Sequence, residues 1–352
     1  MAQNRRELID AVFHNEKADR VPVGFWHHFL DKPERNGFGK PGLRQEVLVK
    51  QAKFYLDFQP DLLVVMPDGY FGYPHPSLAG NAAAPEKIVG SRTLGRKSDW
   101  YQEQIWYARE LVRTYGKDVQ IFYNLFTPNR ALSTGRGPLE ALADMANWVK
   151  EKPGALRKAL DIISDDYALL AKGLIEEAGV DGLYFSVNSI DDDLITEEEY
   201  RNVLRDSEIK VLEAANRARG NTILHIQSIK GFRNHLTWYK DYPVTAVNWA
   251  VHAEQVPLPI GKKLFGGKAV IGGFGRTEQD VLFAGTRKEL ERATDRLLEE
   301  AGTTGIVLGA DGTLPINIDV DHLHWVQEEA ARFSGGLWSL SADGEADITE
   351  AV

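Results

Sequence analysis

Eight short, apolar, β-rich runs recur along the chain, and most of the gaps between them are long enough to hold helices. The first four are "VPVGFW" (21–26), "DLLVVMPD" (61–68), "VQIFYNLF" (119–126) and "GLYFSVN" (182–188). "TILHIQS" (222–228), "TAVNWAV" (245–251), "AVIGGF" (269–274) and "GIVLGAD" (305–311) complete the set. Runs without polar alternation suit strands covered on both faces, and strand–helix alternation implies a parallel sheet with right-handed crossovers. A parallel sheet of eight strands closes into a (β/α)8 TIM barrel; the competing arrangement is an open, doubly wound sheet. No Gly-x-Gly-x-x-Gly follows the first run, which favours the barrel.

Helical period fills several of the gaps. "ITEEEYRNVLRDSEIKVLEAANRARG" opens on a Thr cap and closes on Gly220. "RTEQDVLFAGTRKELERATDRLLEEAG" is expected to open near Thr277 and close on Gly302. Two stretches break the rhythm. Residues 69–98 are long and rich in Gly and Pro, and are expected to form a mobile lid over the barrel mouth. The acidic stretch 335–352 reads as a flexible tail. The expected organisation is one barrel over 1–334 carrying the 69–98 insertion.

Composition removes several classes of function. The chain has no cysteine, so disulfides, thiolate zinc sites, iron–sulfur clusters and thiol nucleophiles are excluded. That fits a reducing, cytoplasmic setting. The formal net charge is −10 with no basic stripe, which speaks against nucleic acid. No window is apolar enough to span a membrane, and the first residues lack the apolar core of a secretory leader. A small-molecule substrate is therefore the expected partner, and a homodimer is compatible with the sequence.

The active site of such a barrel lies at the C-terminal ends of its strands, and here those ends are polar. The first run leads into Trp26, His27 and His28, and the second ends at Asp68 with Tyr70 beyond it. Asn124 sits on the third, and Ser186 and Asn188 share a face of the fourth. His225 and Gln227 share a face of the fifth, followed by Asn248, Arg276 and Asp311 on the last three. Each has a plain alternative as a cap, a turn residue or a solvated side chain. Together they point to a small-molecule pocket.

Several of these stretches resemble the uroporphyrinogen decarboxylase superfamily. "RRELIDAVFHNEKADRVPVGFW" is similar to its opening helix and first strand, and "DLLVVMPDGY" to its second strand with an acidic end. Residues 269–330, from "AVIGGFGRTEQD" to "HLHWVQEEA", resemble its long C-terminal signature. The resemblance covers most of 5–333 and implies a (β/α)8 barrel. It also implies that Asp68 stabilises a cationic intermediate; His27, His28 or His225 would handle protons near neutral pH. The arginine-rich stretch by which the decarboxylases grip substrate carboxylates is replaced here by "WHHFLDKPER". In the corrinoid- and zinc-dependent methyltransferases of the superfamily, ligands fall at the positions of His225, Gln227 and Thr313, without either thiolate. His225 and Gln227 are therefore expected to line the pocket without a metal; a hard-ligand metal held with Asp311 is the runner-up.

The reading that follows is a cofactor-free carboxy-lyase acting on a tetrapyrrole-like or other small heterocyclic acid. Asp68, His225 and His27 are its catalytic residues. Trp26, His28, Tyr70, Asn124, Asn188, Gln227, Asn248, Arg276 and Asp311 are its substrate-binding residues. The alternatives are methyl transfer with a corrinoid protein as partner, and a barrel that binds a ligand without chemistry.

Overall fold

A computed structural model describes residues 3–79, 84–133, 136–188, 194–229 and 232–343. Seven strands form one sheet in sequential order: β1 (Leu62–Val65), β2 (Gln120–Phe126), β3 (Gly182–Asn188), β4 (Asn221–Gln227), β5 (Ala246–Trp249), β6 (Ala269–Phe274) and β7 (Ile306–Ala310). Every neighbouring pair is parallel. The sequential order excludes a doubly wound sheet, which reverses direction at a switch point. The fold is a (β/α)8 TIM barrel.

The eighth position is filled by residues 21–27, which join the sheet through two isolated bridges, Val23 to Leu308 and His27 to Leu314. Pro22 has no N–H to give, so no regular ladder forms through it. Its carbonyl still accepts from Leu308, and Gly24 N–H donates to the Leu308 carbonyl, both at 2.9 Å. The seam toward β1 joins one backbone bond, Asp61 N–H to the Val23 carbonyl at 2.9 Å, to the bonds of a side chain. Asp61, buried, accepts Val23 N–H at 2.8 Å and both guanidinium nitrogens of Arg20 at 2.6 and 2.5 Å.

The opposite end of the barrel is closed by the helix Arg5–Phe13, begun by an Asn4–Glu7 capping box. Its Arg6 donates to Gly116 and Val119 carbonyls and pairs with Asp181, where β2 and β3 begin. Access is thus left to the C-terminal ends of the strands. Two helices, Pro138–Glu151 and Pro153–Gly173, lie between β2 and β3; the second lies in the outer ring and the first is an addition at the mouth.

Thr196 begins a helix through a capping box with Glu199, in the place the sequence suggests. The second expected helix is divided. Val281–Ala284 ends at Gly285, and Arg287–Ala301 starts afresh from a Thr286–Glu289 capping box, nine residues after Thr277. A capping box so close to Gly285 outweighs continued helical period.

The segment 69–98 does not hang free over the mouth. Asp166, on the helix Pro153–Gly173, accepts the Tyr73 hydroxyl at 2.6 Å, Leu94 N–H at 2.7 Å and Gly95 N–H at 2.8 Å. That carboxylate ties both arms of the segment to the outer helix; residues 80–83 lie outside the described residues. The helix Val320–Asp343 extends into the stretch read as a tail, whose last nine residues are likewise outside. Among the described residues no helix is long and apolar enough to cross a membrane.

One buried group makes stability depend on pH. Glu208 accepts the hydroxyls of Tyr200 (2.6 Å) and Tyr242 (2.5 Å), and burial pushes its carboxyl up to about 7. The folded state therefore holds a proton that the unfolded chain releases from about 4.5 upward. The stabilisation is complete below that pH and is lost as pH rises through 7, on the order of 3 kcal/mol in all. Urea unfolding should show the stability gap between wild type and Glu208→Gln changing by this amount between pH 4.5 and 8. A constant gap would refute it.

Candidate functional site

A cavity of about 540 Å³ opens at the C-terminal ends of β2 and β4. Phe71, Phe126, Leu142 and Met145 give it apolar walls, with His28, Asn129, Arg130 and Gln227 as polar points on its lining. Phe71 packs edge-on against Phe126 at 5.1 Å and against His28 at 5.8 Å. The additional helix Pro138–Glu151 supplies Leu142 and Met145, so the insertion between β2 and β3 creates much of the wall.

His28 is set by Asp68. One carboxylate oxygen meets His28 Nδ1 at 2.7 Å; the other accepts Phe29 N–H at 2.6 Å and Leu30 N–H at 2.9 Å. An ionised carboxylate only accepts, so Nδ1 carries the proton and Nε2 is the nitrogen left for the cavity. Asp68 itself is fully buried and is absent from the cavity lining. It acts on the site through the ring it holds.

Deeper in the barrel a second histidine is fixed with the same tautomer. Asn248 donates to Ile271 and Ala310 carbonyls at 2.8 and 3.0 Å, which orients its amide. Its Oδ1 must then accept, and it takes Tyr184 Oη–H at 2.8 Å and His225 Nδ1–H at 2.6 Å. His225 lies flat on Tyr184, with ring centres 4.9 Å apart, and Tyr184 meets Trp26 edge-on at the same spacing. Burial, with Arg276 beside it, pushes His225 down to about 3, so the ring is a neutral acceptor with a bare Nε2. Gly312 covers it: with φ +149°, a conformation that favours glycine, a methyl group there would stand 3.1 Å from both Arg276 Nη1 and His225 Cε1.

These residues do not suit the zinc that the family resemblance suggests. Arg276 brings a positive charge close to His225, which opposes a second cation. Asp311 is fully engaged: it accepts Val251 N–H, His252 N–H and His252 Nδ1, each at 3.0 Å. Among the described residues no group of three His, Cys, Asp or Glu side chains could hold a metal.

Of the other candidates, Gln227 lines the cavity beside His28. Asn124 is inside the barrel, accepting from Ser186 at 2.8 Å. Arg276 reaches the rim through Ser228, to whose carbonyl it donates at 3.1 Å. Three candidates are turned elsewhere. His27 packs between Phe29 and Phe54, bonds the His28 carbonyl, and is held below the usual imidazole range by burial. Tyr70 is buried against Phe38 and Tyr107. Asp311 serves as the cap just described. The Asn188 side chain is outside the described residues. Asn129, Arg130 and the wall from 138–151 were not picked out from the sequence; the signal available was "TPNR" directly after a polar-ended strand.

A barrel whose mouth carries a carboxylate-held histidine over an apolar cavity has the general form of a small-molecule enzyme. The chain belongs to the uroporphyrinogen decarboxylase (URO-D) family, whose model matches residues 103–333. No curated protein matches the sequence. Among solved structures it is similar to a methyltransferase from Methanosarcina mazei, with 15% identity and a TM-score of 0.71 over 94% of this chain and 99% of that one. It is also similar to a B12-independent methionine synthase from Shewanella sp. W3-18-1, with 13% identity and a TM-score of 0.57 over 91% of this chain and 100% of that one. At such identities the likeness is one of fold. The family match begins after His28 and Asp68 and includes Arg130 and His225.

The fixed tautomer of His225 is directly measurable. Imidazole ¹⁵N spectra should show a neutral ring protonated on Nδ1 from pH 5 to 8, with no titration in that range. A His225 that titrates near 6.5, or carries its proton on Nε2, would contradict the assignment.

Proposed function

We propose that the chain is a carboxy-lyase working without a cofactor on a small, largely apolar carboxylic acid. The observation that carries this reading is the 2.7 Å bond by which Asp68 holds His28 at an apolar cavity. In the reaction the carboxylate leaves as CO2, and its bonding electron pair stays on the substrate carbon. A proton from His28 Nε2 then completes the new C–H bond. For this step the ring first takes up a solvent proton at Nε2 and then carries two N–H groups; Nδ1–H stays on Asp68, Nε2–H goes to carbon, and the ring returns to the Nδ1–H tautomer. A cavity walled by Phe71, Phe126, Leu142 and Met145 favours the step that disperses the carboxylate charge. The walls suit a small substrate better than a tetrapyrrole with many carboxylates, because among the described lining residues Arg130 is the one arginine.

Methyl transfer is the second reading, supported by the fold likeness to the Methanosarcina mazei methyltransferase. There His28 would protonate the heteroatom that loses its methyl group, and a corrinoid protein would be the partner.

Turnover of a panel of small aromatic and heterocyclic acids in D2O separates the two. Carboxy-lyase activity should release CO2 and place one deuterium on the carbon, and His28→Gln should lower the rate by about a hundredfold or more. Turnover that releases no CO2 and requires an added corrinoid protein would overturn the reading in favour of methyl transfer.

A further inference from the structure

Arg130 belongs to the turn Pro128–Ser133 that follows β2, and it forms part of the cavity wall. Among the described residues its guanidinium makes no hydrogen bond and no ion pair. Glu34, also on the wall, is near enough for its charge to act but forms no bridge. Three other cations are committed: Arg136 to Glu140 and Asp144, Arg276 to Ser228, and Lys50 to Glu46 and the Phe29 carbonyl. Burial pulls Arg130 below the usual guanidinium range. A largely desolvated guanidinium without an acceptor is costly, and its planar fork matches a carboxylate.

From this unpaired cation in the cavity wall we infer that Arg130 anchors an anionic group that the substrate keeps. The substrate is then a small dianion with an apolar body, and the product is a monoanion on the same arginine. The reason lies in where charge moves. A guanidinium clasping the departing carboxylate would stabilise the ground state more than a transition state whose charge is leaving that group, and so would slow the reaction. The carboxylate that leaves belongs instead against the apolar wall near His28. The identity of the lost group rests on the carboxy-lyase reading; the anion site rests on Arg130 and the cavity alone.

Benzoate, a product-like monoanion, serves as the probe for calorimetry on the full chain. One site is expected, with affinity falling about tenfold or more in Arg130→Gln and partly kept in Arg130→Lys. Without benzoate, Arg130→Gln should melt no lower than wild type, since it sheds an unpaired charge; with benzoate only wild type and Arg130→Lys should gain thermal stability. Equal binding to wild type and Arg130→Gln, or no binding to wild type, would overturn the anion site. Arg130-dependent binding without CO2 release from any acid would uphold the site and refute the carboxy-lyase reading and, with it, the dianion. If the acid turned over proves to be a monocarboxylate, the retained anion is refuted directly.

Discussion

Two carboxylates at the two ends of β1 hold the barrel closed where its ladder fails. Residues 21–27 contribute only isolated bridges, because Pro22 breaks the pattern of donors. Asp61 fastens the beginning of this segment through Val23 N–H and Arg20, and Asp68 fastens its end through Phe29 and Leu30 N–H. Both are buried, and both use their oxygens on donors that would otherwise be orphaned. The bonds that complete the barrel therefore also fix the backbone from which His28 projects.

That economy gives the site its character. The lone pairs of Asp68 are taken by two amides and an imidazole, so the acid is not free to meet a substrate cation directly. Its influence reaches the cavity as the tautomer and direction of His28. The second histidine, His225, is prepared by the same logic with a neutral partner: Asn248 is oriented by two carbonyls and passes the constraint on. One ring is backed by a charge and the other by an amide beside an arginine. The difference suits the first to moving a proton and the second to accepting a hydrogen bond.

Much of the barrel was legible in the sequence because it rests on period. The apolar runs mark the strands, and several of the polar residues that end them, among them Asn124, His225, Gln227 and Asn248, face the mouth or the barrel interior. What escaped depends on contacts between distant segments. Side-chain direction at 27 and 28 cannot be read from "WHH": only the packing of His27 between Phe29 and Phe54 decides which ring reaches the cavity. Asp311 resembles an active-site acid at a strand end, yet the short helix Val251–Glu254 claims it. Arg130 was hidden because its meaning is the lack of a partner, which no sequence displays. The 69–98 segment looked free for its glycines and prolines, whereas Asp166, far along the chain, ties it down.

Asp68 is proposed to act on the chemistry through His28. A double-mutant cycle on the rate of the proposed decarboxylation, with Asp68→Asn and His28→Gln singly and together, tests it most directly. The expected result is strong non-additivity: Asp68→Asn slows the wild-type enzyme but adds little once His28 is gone. Additive losses in folded variants would show that Asp68 reaches the substrate by another route and not through His28.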